Sequence, residues 1–241
     1  DFVTAKSLLG FVRQMMRTEA PARPEDPYII QRLALITYKS KYPSEAEALE
    51  EARGLLTLLN PDTSNDTETL GLWGAVHKRL WDSTKKMNDL DIAVRAYERG
   101  FYLRNDYYNG INFAYLLNVR ARNASDPAEA IADFVQARRV RQEVITICKD
   151  WLAANPAPAA QAAGDRAALE NLKGRYWVLA TMAEAYVGLG KAQKGEQTLA
   201  EADRVKPEKW MQESTQVQIG KLRELLDPSP LNFIKTDAAP A

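Results

Sequence analysis

The sequence predicts an all-α fold, a solenoid of helical hairpins with a capping helix at each end. Two observations predict it. Four segments share one 4-then-3 spacing of small and apolar residues, and each follows a second stretch with helical periodicity. The segments are Ala48/Ala52/Leu55, Ala93/Tyr97/Gly100, Ala130/Phe134/Ala137 and Gly195/Leu199/Ala202. That spacing puts three residues on one face of a helix. A lone helical hairpin cannot bury such a face, so hairpins in series imply stacking on neighbours.

Residues 2–18 read as a helix with an apolar side of Phe2, Leu8, Leu9, Phe11, Val12, Met15 and Met16. The Pro-rich link Pro21–Pro27 ends it, so residues 1–27 are read as a capping helix and linker. The first repeat spans about 28–61. Its first helix carries Leu33, Ala34, Ile36 and Tyr38, and its second opens on a capping box, Ser44 with Glu47. The second repeat spans about 66–105. Its first helix holds Leu70, Trp73, Gly74, His77, Leu80 and Trp81, and Lys85–Leu90 is read as a lengthened turn. The third, about 106–154, has Ile111, Phe113, Ala114, Leu116 and Leu117 on its first helix. Its second starts at Asp126 with Pro127 in the first helical position. That helix runs to about Ala154, and its excess length predicts packing against something extra.

Asn155–Gly164 is rich in Ala and Pro and reads as a loop. Asp165 starts a short helix leading to Gly174, and the fourth repeat covers about 176–207. A last helix, about 208–226, carries Trp210, Val217, Leu222, Leu225 and Leu226 on one side and closes a repeat tract of 28–226. The tail 227–241 is expected to fray, with Leu231, Phe233 and Ile234 as an alternative docking motif.

The fourth repeat reads Leu179, Met182, Ala183, Tyr186, Gly190, Gly195, Leu199, Ala202, Pro207. This small/large order resembles a tetratricopeptide (TPR) unit of about 34 residues. Ala183 lets a second helix approach and Tyr186 fills the wedge between the two. Gly190 ends the first helix in a left-handed cap, and Pro207 stops the second.

Two further stretches narrow the resemblance: Thr69-Leu-Gly-Leu-Trp-Gly-Ala-Val-His-Lys-Arg-Leu-Trp81, and Asp106-Tyr-Tyr-Asn-Gly-Ile-Asn-Phe-Ala-Tyr-Leu-Leu117, with Asp91–Gly100 between them. Together they resemble the TPR-containing "TRAFs-binding" central regulatory region of apoptosis signal-regulating kinases and its bacterial relatives, over roughly residues 28–205. The chain looks closer to the bacterial members. The resemblance implies a regulatory scaffold that recruits partners. The chain has no kinase motif, which leaves the scaffolding role as what carries over.

Composition removes several classes of function. Lys and Arg number 32 and Asp and Glu number 32, a net charge of +0, which argues against broad binding to nucleic acid or anionic membrane. No apolar run reaches the length of a membrane span. A single cysteine, Cys148, cannot form an internal disulfide, so a reducing, cytoplasmic setting is expected. The chain begins at Asp1, which leaves room for a further domain upstream.

Catalytic chemistry finds no support. His77 is the only histidine, so neither a His-paired metal site nor a Ser-His-Asp triad can be assembled from this chain. It occupies the wedge position and is read as a packed inter-helix residue. The Gly188-Leu-Gly-Lys191 run lacks the spacing of a phosphate loop and is read as a helix end. Cys148 is read as a buried thiol and Asp89 and Asp91 as dipole partners preceding a helix. No cofactor is expected, and the chain is read as no enzyme.

The candidate site is the concave surface lined by the first helices. In this register it includes Arg32, Ile36, Lys39, Lys78, Arg79, Asn112, Arg120 and Glu184, with Tyr107 and Tyr108 beside them. The excess of cations suits an acidic peptide or a terminal carboxylate. The expected function is therefore a non-enzymatic scaffold for a protein or peptide partner in a signalling or stress-response assembly, with self-association left open. The alternative is a sensing module that takes a nucleotide or other small anion and gates an effector domain.

Overall fold

A computed structural model describes residues 1–20, 22, 24–158 and 165–229. The described residues form ten α-helices and no strand: α1 (Phe2–Glu19), α2 (Pro27–Ser40), α3 (Glu45–Thr57), α4 (Thr67–Thr84), α5 (Met87–Arg104), α6 (Tyr107–Asn123), α7 (Pro127–Ala154), α8 (Arg166–Gly188), α9 (Ala192–Asp203) and α10 (Lys209–Leu226). They pair in sequence as the hairpins α2–α3, α4–α5, α6–α7 and α8–α9, with α1 against α2 and α10 against α8 as caps. The predicted class, an all-α hairpin fold of the solenoid type with N- and C-terminal capping helices, is the observed one. The chain divides into two compact units, Asp1–Arg104 and Asn105–Ala241.

Helix starts are written locally. Asp26, Asp66, Asp106, Asp126 and Asp165 each accept a backbone N–H from the first turn of the following helix, which satisfies a donor with no intrahelical partner. Ser44 caps α3 by accepting the Glu47 N–H at 3.2 Å. The second half of the predicted capping box differs: the Glu47 carboxylate accepts a hydrogen bond from the Ser44 hydroxyl, at 2.6 Å, rather than from the Ser44 backbone N–H. Helix ends follow the same logic. Lys41 and Lys85 adopt left-handed φ values of 52° and 56°, and Gly190 lies at +75° just past α8.

Unit 1 contains α1–α5. Its core joins Ile30, Leu33 and Ala34 of α2 to Leu49, Ala52 and Leu56 of α3 and to Leu72, Val76 and Leu80 of α4. Against expectation, no turn is lengthened between α4 and α5. Only Lys85 and Lys86 separate them, because Lys85 closes α4 by itself and α5 starts at once. The apolar side of α1 also differs from its reading. Leu9 packs on the core, but Phe2, Leu8, Phe11 and Met15 are exposed and none of the helix is fully buried. The helix is too apolar for one face, and its neighbour α2 covers only one side.

Unit 2 contains α6–α10. Residues 166–188 form one helix, not the short helix and separate repeat helix predicted. The cause is α7. Both α7 and α8 exceed an ordinary repeat helix, and their extra turns pack together: Trp151 lies 3.1 Å from where a Cβ on Gly174 would stand, and Arg175 donates to the Asn155 carbonyl. The expected extra contact of the long helix is thus made within the chain. Further on, α8 and α9 meet closely at Gly195, where a Cβ would stand 2.8 Å from Val187 Cγ2. The helix α9 ends at Asp203, before Pro207 is reached. The buried face of α10 is Met211, Thr215, Ile219 and Leu222, whereas Trp210 and Val217, assigned to that face from sequence, are 55% and 59% exposed. The 4-4-3 row needs the polar Thr215, whose hydroxyl accepts from Tyr176 at 2.9 Å, so hydrophobicity alone misplaces it. The predicted tail motif at Leu231, Phe233 and Ile234 lies outside the described residues, as does much of the loop 155–164.

Of the four 4-then-3 rows, every residue is buried except Leu199, which is half-buried. The same holds for the predicted first-helix residues of the third repeat: Ile111, Phe113, Ala114, Leu116 and Leu117 are all buried.

Candidate functional site

In unit 1 the helices α2 and α4 lie side by side, each the first helix of its hairpin. Their N-terminal ends are tied by Gln31, which donates to Asp66 at 2.6 Å and to Thr69 at 2.9 Å. Next to that tie, Arg32 pairs with Glu68 at 3.0 Å. The C-terminal ends of the two helices meet differently, through Lys39 and Arg79.

Arg79 donates to its own helix, to the Ala75 carbonyl at 2.8 Å, and its guanidinium lies over the Tyr38 ring at 4.7 Å. Lys39 sits 5.8 Å from the centre of the Phe2 ring of α1. Burial holds the Lys39 ammonium below its usual range, and the nearby positive charge of Arg79 lowers it further. Among the described residues no carboxylate pairs with Lys39. Two cations from neighbouring first helices are therefore held together over two aromatic rings, with Lys78 half-buried beside Arg79 on α4.

Two buried groups lie behind this surface. His77 Nδ1 and Asp89 Oδ1 are 2.8 Å apart, with the Trp73 ring edge-on to the imidazole at 4.2 Å. Burial lowers the His77 pKa, outweighing the raising effect of Asp89. The histidine is packed between helices, as expected. Asp89 is not ahead of the helix as predicted: it lies in the first turn of α5, and its carboxylate faces α4 rather than solvent.

In unit 2 the remaining candidates divide. Tyr108 is exposed, and Asn112 donates to the Tyr108 carbonyl at 2.9 Å. Arg120 makes a forked pair with Asp133 at 2.7 and 2.8 Å, so its charge ties α6 to α7. Glu184 is buried, accepts from Gln218 at 3.1 Å, and attracts Arg141.

Arg141 is the residue that sequence reading missed. It is fully buried, and burial lowers its pKa to about 10. It donates to the Ala114 carbonyl at 3.3 Å and lies against Gly188. Asn118, one turn beyond Ala114 on α6, is also buried. A signal was present. Continuing the row Ala130, Phe134, Ala137 by the same alternation gives Arg141, Val144 and Cys148, all buried. Cys148 is packed among apolar side chains, which push its thiol up to about 12. Among the described residues no cluster of His, Cys, Asp or Glu could hold a metal, and no helix is long and apolar enough to cross a membrane.

Comparison with known families gives one result. Residues 5–117, just under half of the chain, match the family model for TPR-S, Tetratricopeptide Repeats-Sensor. The matched residues run through most of α1, all of α2–α5 and most of α6. No curated protein and no solved structure matches the chain.

Proposed function

From the TPR-family domain over residues 5–117, we propose that the chain is a scaffold in a signalling or stress-response assembly that binds a carboxylate-bearing peptide at the Lys39–Arg79 corner. The observation that supports this most is the like-charged pair itself. Lys39 and Arg79 repel one another, and a bound carboxylate would relieve that repulsion with charge-assisted bonds. Arg32 and Lys78 flank the corner along α2 and α4, and Arg32 already has Glu68. Tyr108 and Asn112 offer a separate polar surface on unit 2, while Arg120 and Glu184 serve there as framework. The resemblance to the kinases' central region is in keeping with a regulatory setting.

The test is affinity capture from host lysate with wild type and a Lys39→Glu/Arg79→Glu variant, with melting curves as a folding control. A partner held by wild type and lost by a folded variant supports the reading. A partner retained by both removes the corner as the binding site.

A second reading is favoured by the "Sensor" in the name of the matched family: the same corner takes a small anion, such as a nucleotide. Binding to the native state alone raises the melting temperature. A nucleotide panel that shifts wild type but not the double variant supports this reading, and no shift across the panel removes it.

A further inference from the structure

Among the described residues fifteen large apolar side chains are exposed, and five of them lie on α1: Phe2, Val3, Leu8, Phe11 and Met15. The other ten are scattered in ones and twos, which is ordinary for a folded surface. On α1 the exposure is ordered. Leu8, Phe11 and Met15 are 65%, 58% and 46% exposed, and with Thr4 and Thr18 they form one row. The steps along it alternate between four residues and three, the spacing of a seam by which one helix meets another. The opposite side of the helix is the one in use, where Leu9 packs on the core and α2 lies against it.

Two features prepare the row for burial under a further helix. Its hydroxyls are already satisfied within α1. Thr4 donates to the Asp1 carboxylate at 2.7 Å and Thr18 to the Gln14 carbonyl at 3.0 Å. Ser7, beside the row, donates to the Val3 carbonyl at 3.2 Å. Covering these groups strands no donor, so the usual cost of burying a hydroxyl is absent. Charge is the second feature. Between Asp1 at one end and Glu19 at the other, the row carries none. The cations of α1 turn to the other side: Lys6 pairs with Glu51 of α3, and Arg13 and Arg17 both pair with Glu25.

We propose that this row docks a second copy of the chain, α1 on α1, about a twofold axis near Leu8 and Phe11. Charge balance selects the occupant. A partner face of either sign would find no counter-charge on the row and would bury its own charges unpaired. A copy of the row brings no like charges together at its centre and sets Leu8 and Phe11 against their own counterparts. It is self-complementary, as a twofold interface requires. Docking also orders little, because α1 is already a helix held by α2. An 18-residue helix is about 27 Å long. One such pair makes a small contact, so a dissociation constant of about 10–100 µM is expected. The row is separate from the Lys39–Arg79 corner, and the proposal does not rest on that corner.

The experiment is sedimentation equilibrium of the full chain from about 5 µM to about 1 mM, a range that brackets the expected constant. Wild type should pass from monomer to dimer. Leu8→Glu/Phe11→Glu should weaken the association by about tenfold or more, as expected for loss of central anchors. Its melting temperature at low concentration should hold, since both side chains are exposed on the monomer. Leu8→Lys/Phe11→Lys should weaken association likewise. An equimolar mixture of the Glu and Lys variants should associate more tightly than either alone, because opposite charges then meet across the axis. A wild type that stays monomeric throughout, equal association in the folded Glu variant, or a mixture no tighter than its components would each overturn the proposal. So would association lost only in Lys39→Glu/Arg79→Glu, or a row that binds phosphatidylcholine vesicles without self-association.

Discussion

The guanidinium of Arg141 occupies the space that a side chain at Gly188 would need: a Cβ there would stand 2.1 Å from Arg141 Nε. Arg141 is fully buried, so it has nowhere to withdraw. Gly188→Ala should therefore destabilise the protein by about 1–3 kcal/mol, the usual range for overpacking. Arg141→Met should itself destabilise, since it leaves the buried Glu184 carboxylate without the cation that attracts it. In the double variant Gly188→Ala should cost far less, a coupling that urea denaturation of the four proteins would reveal. Additive effects would show that the contact does not govern stability.

The His77–Asp89 contact predicts a pH dependence. Burial places the folded-state pKa of His77 below the usual imidazole value of about 6.5. Between that folded value and 6.5 the unfolded chain binds the proton more readily, so stability rises with pH across this window. The contribution is fully present above about 6.5 and is lost as pH falls through the folded value, by up to about 1.4 kcal/mol per pH unit. Denaturation midpoints measured from pH 5 to pH 7.5 should fall on the acid side, and more weakly in a His77→Asn variant. A variant with the same slope as wild type would assign the dependence to other groups.

Glycines of the two kinds should respond oppositely to alanine. At Gly74 a Cβ would stand 2.7 Å from the Tyr97 ring, and Tyr97 is fully buried against α4. Gly74→Ala should destabilise by about 1–3 kcal/mol. Gly10→Ala and Gly54→Ala meet no atom and should stabilise by about 0.4–1 kcal/mol by restricting the unfolded chain. Melting curves of the three single variants decide between these signs.

Cys148 should be inert while the chain is folded. It has no exposed surface and its thiol is pushed up to about 12, whereas the thiolate is the reactive form. A disulfide reagent at pH 8 should label it only after denaturant is added. Rapid labelling of the native chain would show that α7 opens locally.

Much of the fold was legible because the signals are local. An Asp ahead of a helix caps it whatever lies beyond, and a 4-then-3 row of small residues marks a helix–helix contact in any context. The same rows fell on buried positions in all four hairpins, from Ala48 to Ala202, with Leu199 alone half-buried. The site was legible only as a set of positions. Sequence placed Arg32, Lys39, Lys78, Arg79 and Arg120 on first helices as cations, but charge alone does not say which of them are already matched. Arg32 found Glu68 and Arg120 found Asp133, across 36 and 13 residues of chain.

The sequence by itself determined most of the helices, their order and the contact rows of the four hairpins, because periodicity and capping act within a few residues. Tertiary structure decided three things that depend on what stands opposite. It joined residues 166–188 into one helix, since the extra turns of α7 needed a partner. It buried Arg141 in a row that reads as apolar, where the Ala114 carbonyl and the charge of Glu184 meet it. And it left Lys39 beside Arg79 with no carboxylate paired to Lys39 among the described residues, an arrangement set by the packing of α2 on α4. Burial and charge balance are properties of neighbours in space, and neighbours distant in the chain are fixed only when the helices pack.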